Sequence, residues 1–194
     1  MSIEVYEARR KSPFAKLLPW LLGLAAAGLA AALIVCLTQS AKHKAGFLGQ
    51  FYGKLSEAKA QVEALSEAGT PESLTNAVLS LTALDTVMED GRRFVVSGIH
   101  YNYQAGGFDD IAQTMLSGME YNGKVLCKGF LEDGALSASE KEYLDTLGND
   151  LGALQESLTK NKQADTGLSV KTFNEKTHVF FSKYSDVLSL KLSN

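Results

Sequence analysis

Cysteine, proline, histidine and positive charge are all scarce in this chain, and each scarcity excludes something. Two cysteines occur in 194 residues, Cys36 inside an apolar run and Cys127 far beyond it. A disulfide scaffold is therefore excluded, and Cys127 reads as a free thiol. Of three prolines, only Pro71 follows the apolar run, and so proline-poor a stretch suits long helices. The three histidines, His43, His100 and His178, show no local metal-ligand spacing. No H-E-x-x-H, C-x-x-C, G-x-S-x-G, P-loop or G-x-G-x-x-G pattern occurs, so the common signatures of zinc hydrolysis, thiol redox, acyl transfer and nucleotide binding are missing. Ser97, His100 and Asp109 form a triad only in the sense that chance supplies such triples in any chain of this length. The reading is non-enzymatic, with no cofactor and no metal. Residues 39–194 hold 15 basic and 20 acidic side chains, an electrostatic balance that gives no reason to bind nucleic acid.

What is present begins with an uncharged run of 21 residues from Leu17 to Leu37. As a helix rising 1.5 Å per residue it reaches about 30 Å, the thickness of a bilayer's hydrocarbon core. The run exceeds the apolar core of a secretory signal, and Val35 before Cys36 is too bulky for lipoprotein processing. An uncleaved anchor in the lipid bilayer is expected. Arg9, Arg10, Lys11 and Lys16 precede it, against Lys42, Lys44 and Lys54 after it, which favours an N-terminus in the cytoplasm. Trp20 suits the headgroup level, and Pro19 the first helical turn. Gly23, Ala27 and Ala31, with Gly28 and Ala32, form small-residue faces that read either as a dimer contact or as ordinary span composition.

Beyond the run, apolar residues recur at helical spacing. Phe47, Phe51, Leu55, Ala58, Val62 and Leu65 predict a helix over about Ala41 to Ala68, capped by Gly69. Thr70-Pro71 opens a second, striped by Leu74, Val78, Leu81, Leu84 and Met88, which either ends near Asp90 or continues past Gly91 through Val95 and Ile99. After a turn at Tyr101 to Gly107, a third helix is expected through Phe108, Ile111, Met115, Met119, Leu126 and Phe130, ended by Asp133-Gly134. Ser137 and Glu140 form a capping box ahead of Leu144, Leu147, Leu151, Leu154 and Leu158. Lys160 to Gly167 reads as a loop, and Ser169 caps a last helix with a Leu168–Phe173 staple and an apolar face through Phe180, Tyr184 and Leu188.

The expectation is an all-α fold: residues 1–16 a cytoplasmic basic tail, 17–38 a single transmembrane helix, 39–194 an extracytoplasmic up-and-down bundle of four to five helices. The densest unusual stretch is Gly91 to Gly107, which crowds Arg92, Arg93, His100, Tyr101 and Tyr103 together in an acidic domain. Two readings stand. The arginines receive a partner's carboxylate or phosphate by forked hydrogen bonds, or they are solvated and paired with Glu89 and Asp90 while the tyrosines pack into the core.

The order of parts also carries a resemblance. A short tail, one span, a helix bearing Phe51 and Tyr52, and a paired-helix segment from Met119 to Leu158 with an L-S-x-x-E-x-x-x-L start resemble the N-terminal helical region of the spore germination protein YpeB family. The resemblance spans residues 15–160 or so, implies a membrane-tethered helical module, and transfers no functional residue. An envelope interaction or scaffold protein follows, its partner another envelope protein or a second copy. The alternative is an extracytoplasmic small-molecule sensing domain of chemoreceptor bundle type.

Overall fold

A computed structural model describes residues 13–94, 107–121 and 123–184. The elements in order are α1 (Pro13–Ala68), α2 (Pro71–Phe94), α3 (Phe108–Ser117), β1 (Met119–Tyr121), β2 (Lys124–Cys127), α4 (Ala138–Ser157), β3 (Thr159–Lys160), β4 (Gln163–Ala164) and α5 (Val170–Phe181). The protein is mostly helical, and the chain divides within α1 into two units, Met1–Ala41 and Lys42–Asn194.

In the first unit the apolar run is helical and long and apolar enough to cross a membrane. Leu21, Leu22, Leu24, Leu29, Leu33, Ile34, Val35 and Leu37 are all more than half exposed. At the end of the run Thr38 Oγ1 donates to the carbonyls of Ile34 and Val35 at 3.0 and 2.9 Å, so its hydroxyl is satisfied within the helix.

The second unit holds the core. Phe51, Leu55, Ala58, Val62 and Leu65 are fully buried, as the 4-4-3-4-3 spacing from Phe47 requires of a single stripe. They share one apolar cluster with Leu81 and Leu84 of α2, Phe108 and Met115 of α3, Leu144, Leu147 and Leu151 of α4, and Phe173 and Phe180 of α5. Aromatic rings join three helices: Phe173 meets Phe47 at 5.4 Å and Phe51 at 5.1 Å, both edge-on, and Phe108 meets Phe181 at 4.9 Å. Such pairs add about 0.5–1.5 kcal/mol each beyond the area they bury. Helix α4 lies close against α1, because a Cβ at Gly148 would meet Glu63 Cγ at 3.4 Å and one at Gly152 would meet Lys59 Cε at 3.0 Å. Ser66 of α1 also hydrogen-bonds Asp145 of α4 at 2.5 Å.

The helix starts and stops follow from local chemistry. Gly69 takes φ +57° to end α1, and the Ser73 N–H donates to Thr70 Oγ1 at 3.2 Å to open α2. Helix α2 runs through Gly91 to Phe94 and does not end near Asp90. Ser137 N–H donates to Glu140 Oε2 at 2.6 Å and Glu140 N–H to Ser137 Oγ at 3.2 Å, which closes the expected box. Ser169 accepts from Thr172 N–H at 3.0 Å at the head of α5.

Three expectations need correction. The third helix stops at Ser117, and Met119 to Cys127 is an antiparallel hairpin, so the Met119–Leu158 segment is not a helix pair. Gly118 at φ +69° breaks the helix, and a Cβ there would fall 2.4 Å from the Cys127 carbonyl oxygen. Gly129 is as constrained, its Cβ position lying 2.6 Å from the Leu116 carbonyl oxygen, so the chain crosses itself backbone to backbone at the hairpin's base. The stretch from Lys160 to Gly167 is not simply a loop: Thr159 pairs with Ala164 and Lys160 with Gln163 around Asn161 and Lys162, both at positive φ as a two-residue primed turn demands. The all-α reading is thus amended by two small hairpins. Helix α5 ends at Phe181, with Tyr184 in the turn that follows, while Val95, Ile99, the turn at 101–106 and Leu188 lie outside the described residues.

Candidate functional site

Residues 42–50 form the first turns of the second unit's part of α1, and one face of them fronts the last two turns of α2. The closest approach is Phe47 against Gly91, where an added Cβ would sit 2.3 Å from Phe47 Cε2. Glycine at 91 therefore sets how near the two helices come. Beside this contact opens a cleft of about 350 Å³ lined by Lys42, His43, Gly46, Gln50, Val87 and Asp90 together with Phe47 and Gly91. Its volume falls within the range of small-ligand sites. Phe47 and Val87 are buried and give it an apolar floor, while Lys42, His43, Gln50 and Asp90 are exposed and give it a polar rim of both charge signs. Gly46 leaves room: a Cβ there meets nothing within 4 Å.

A second polar cluster joins α4, β2 and the end of α5. Tyr184 Oη donates to Asp150 Oδ2 at 2.9 Å, and Lys183 pairs with the same carboxylate. The Tyr143 ring stands edge-on to Phe130 at 5.7 Å and to Tyr184 at 6.4 Å. Burial raises the Tyr143 phenol above the ordinary range, with neighbouring Cys127 adding to the rise. Tyr184 is raised by burial and then by Asp150. Burial also pushes the Cys127 thiol up, a backbone hydrogen bond at Met119 opposes the shift, and Glu140 adds to it. All three groups are held in their neutral forms, and a thiol so held is a weak nucleophile.

Of the sequence-predicted patch, Arg92 and Arg93 lie in the last turn of α2, directly after the cleft residues Asp90 and Gly91, and their side chains are not among those described. His100, Tyr101 and Tyr103 lie outside the described residues. Among the described residues no group of three or more His, Cys, Asp or Glu side chains is placed to hold a metal ion. Sequence reasoning missed Lys42, His43, Gly46 and Gln50 as a lining. Their spacing of i, i+1, i+4 and i+8 puts them along one side of a helix, but only the approach of α2 turns that side into a cleft. The comparisons add no relative, since no family model, curated protein or solved structure matches this chain.

Proposed function

We propose that this chain is a membrane-tethered, non-catalytic helical protein that serves as an interaction or scaffold module of a bacterial envelope. Residues 1–16 lie in the cytoplasm, 17–38 span the bilayer, and 39–194 form an up-and-down bundle outside. One observation carries the reading: eight large apolar side chains between Leu21 and Leu37 are more than half exposed, while the second unit has a core of its own. A contiguous apolar surface of that length is stable in lipid and not in water. The excess of basic residues before the span supports the orientation. The partner is an envelope protein or a second copy, met by Arg92 and Arg93 at the end of α2, and the resemblance to the YpeB family favours a sporulation or germination setting.

The full chain should stay with membranes through alkaline carbonate washing, and protease added to intact spheroplasts should digest residues 39–194. Release into the wash overturns the anchor, and protection from protease overturns the orientation. Crosslinking in whole cells followed by mass spectrometry identifies the partner. The pair Arg92→Ala and Arg93→Ala should reduce that specific crosslink, because forked arginine contacts often dominate an interface, and a melting temperature measured alongside separates this effect from a loss of fold. An undiminished crosslink would place the contact elsewhere.

A further inference from the structure

Leu79 of α2 and Leu116 of α3 are 62% and 52% exposed, although both helices bury their other large apolar side chains in the core. The two leucines share one face. Thr82 Oγ1 donates to Asp109 Oδ1 at 3.0 Å, which ties α2 to α3 at that level. Helix α3 runs antiparallel to α2. Its first residue, Phe108, stands 6.2 Å from Phe51, toward the Phe47–Gly91 contact. Near its end the Met115 carbonyl accepts from Phe130 N–H at 2.8 Å, and Phe130 meets Tyr143, two residues from the Asp145 that bonds Ser66 at the far end of α1. Leu79 precedes Thr82 by one turn and Leu116 follows Asp109 by two. Both are therefore displaced the same way from the tie, by about 4.5 and 10.5 Å, and stand about 6 Å apart in level on neighbouring helices.

Carboxylates flank this pair at both ends. Glu72, two turns before Leu79, is exposed in the first turn of α2, and Asp109 and Asp110 open α3. Asp109 and Asp110 accept hydrogen bonds from neutral groups, the Thr82 hydroxyl and the Gly107 N–H. No Lys, Arg or His occurs from Pro71 to Gly91 or from Phe108 to Ser117, and a helix N-terminus offsets only about half a unit charge. The face thus has an apolar centre and negative ends. We infer that it docks a basic amphipathic helix of the partner protein, whose apolar side chains cover Leu79 and Leu116 while a Lys or Arg on one flank meets Glu72 and one on the other meets Asp109 and Asp110. The same face of a second copy would bring like charges together, which disfavours self-association here. The inference rests on the reading of the chain as an interaction module.

The test puts a photo-crosslinking benzoylphenylalanine in place of Leu79 or Leu116 of the full chain in cells and sequences the crosslinked peptide by mass spectrometry. Both positions should reach one segment of another protein, with Lys or Arg on both flanks of apolar residues at helical spacing. With the crosslinker at 116, Leu79→Ser should lower the yield roughly fivefold, the loss of one apolar anchor. Glu72→Gln together with Asp109→Asn should lower it roughly tenfold and remove its sensitivity to salt in isolated membranes. The crosslinker in place of Val179, equally exposed on α5, should not reach that segment. A crosslink to an acidic or neutral segment, to a second copy or to lipid overturns the basic partner. If positions 79 and 116 reach nothing while the crosslink that depends on Arg92 and Arg93 persists, this face fails and the interaction reading stands. Loss of every crosslink overturns both.

Discussion

Tyr184 and Tyr143 show how burial of a single ionisable group becomes a property of the whole fold. Both phenols are raised above their ordinary value, so each contributes stability that is fully present below about pH 10, the unfolded phenol pKa, and is lost as pH climbs from there toward the folded values. Denaturant unfolding measured from pH 7 to 12 should show stability falling from about pH 10 upward. Tyr184→Phe should flatten that fall, while costing about 1 kcal/mol at neutral pH for the lost bond to Asp150. A slope unchanged by the substitution would mean the phenol ionises freely in the native state. Glycines obey equally local rules with opposite signs. At Gly148 a methyl group meets its nearest neighbour at 3.4 Å, an ordinary contact, so Gly148→Ala should stabilise by about 0.5–1 kcal/mol through reduced backbone entropy of the unfolded chain. At Gly91 the same change drives into the Phe47 ring and should cost about 1–3 kcal/mol. Urea midpoints of the two variants, moving in opposite directions, check both.

At the scale of the element, the helices whose signals are local are legible in the sequence itself. Ser137 and Glu140 stand three residues apart ahead of a leucine stripe, and both hydrogen bonds of the box form. Ser137→Ala should therefore cost about 0.5–2 kcal/mol, read by thermal denaturation, and a loss near zero would mean that tertiary packing alone holds the first turn of α4. The hairpin at Met119 escapes a periodicity argument because Ile111, Met115 and Met119 are four apart, a helical period that continues on paper across Gly118. The contrary signal is Asn122-Gly123, a two-residue turn dipeptide between residues of strand-forming type, and Gly118 settles the competition in its favour. No such signal marks the second hairpin, whose turn residues Asn161 and Lys162 include no glycine. Short strands joined by an atypical turn leave periodicity nothing to detect.

For the whole molecule, the apolar run is the most legible feature, since length and composition suffice to identify it. The cleft is the least legible: His43 and Gln50 lie on one helix, Val87 and Asp90 on another, and nothing in either segment announces the other. Tyr184 and Asp150, 34 residues apart, are hidden for the same reason. Among the described residues, every buried apolar side chain lies between Phe47 and Phe181, within the second unit. Residues 42–194 alone should thus give a soluble protein with a helix-dominated far-ultraviolet spectrum and one cooperative unfolding transition. A non-cooperative melt would mean the run contributes to folding and not only to location. The backbone crossing at Gly118 and Gly129 carries a consequence for how the chain can change over generations. A methyl group at Gly91 collides with a ring, so a compensating Phe47→Leu can restore what Gly91→Ala removes, and the two positions can drift together. A methyl group at Gly118 collides with the Cys127 carbonyl and the Gly129 amide, main-chain atoms that every amino acid shares. No replacement at another site deletes a carbonyl, so a genetic screen for suppressors should recover partners for Gly91→Ala at position 47 and return only true revertants for Gly118→Ala.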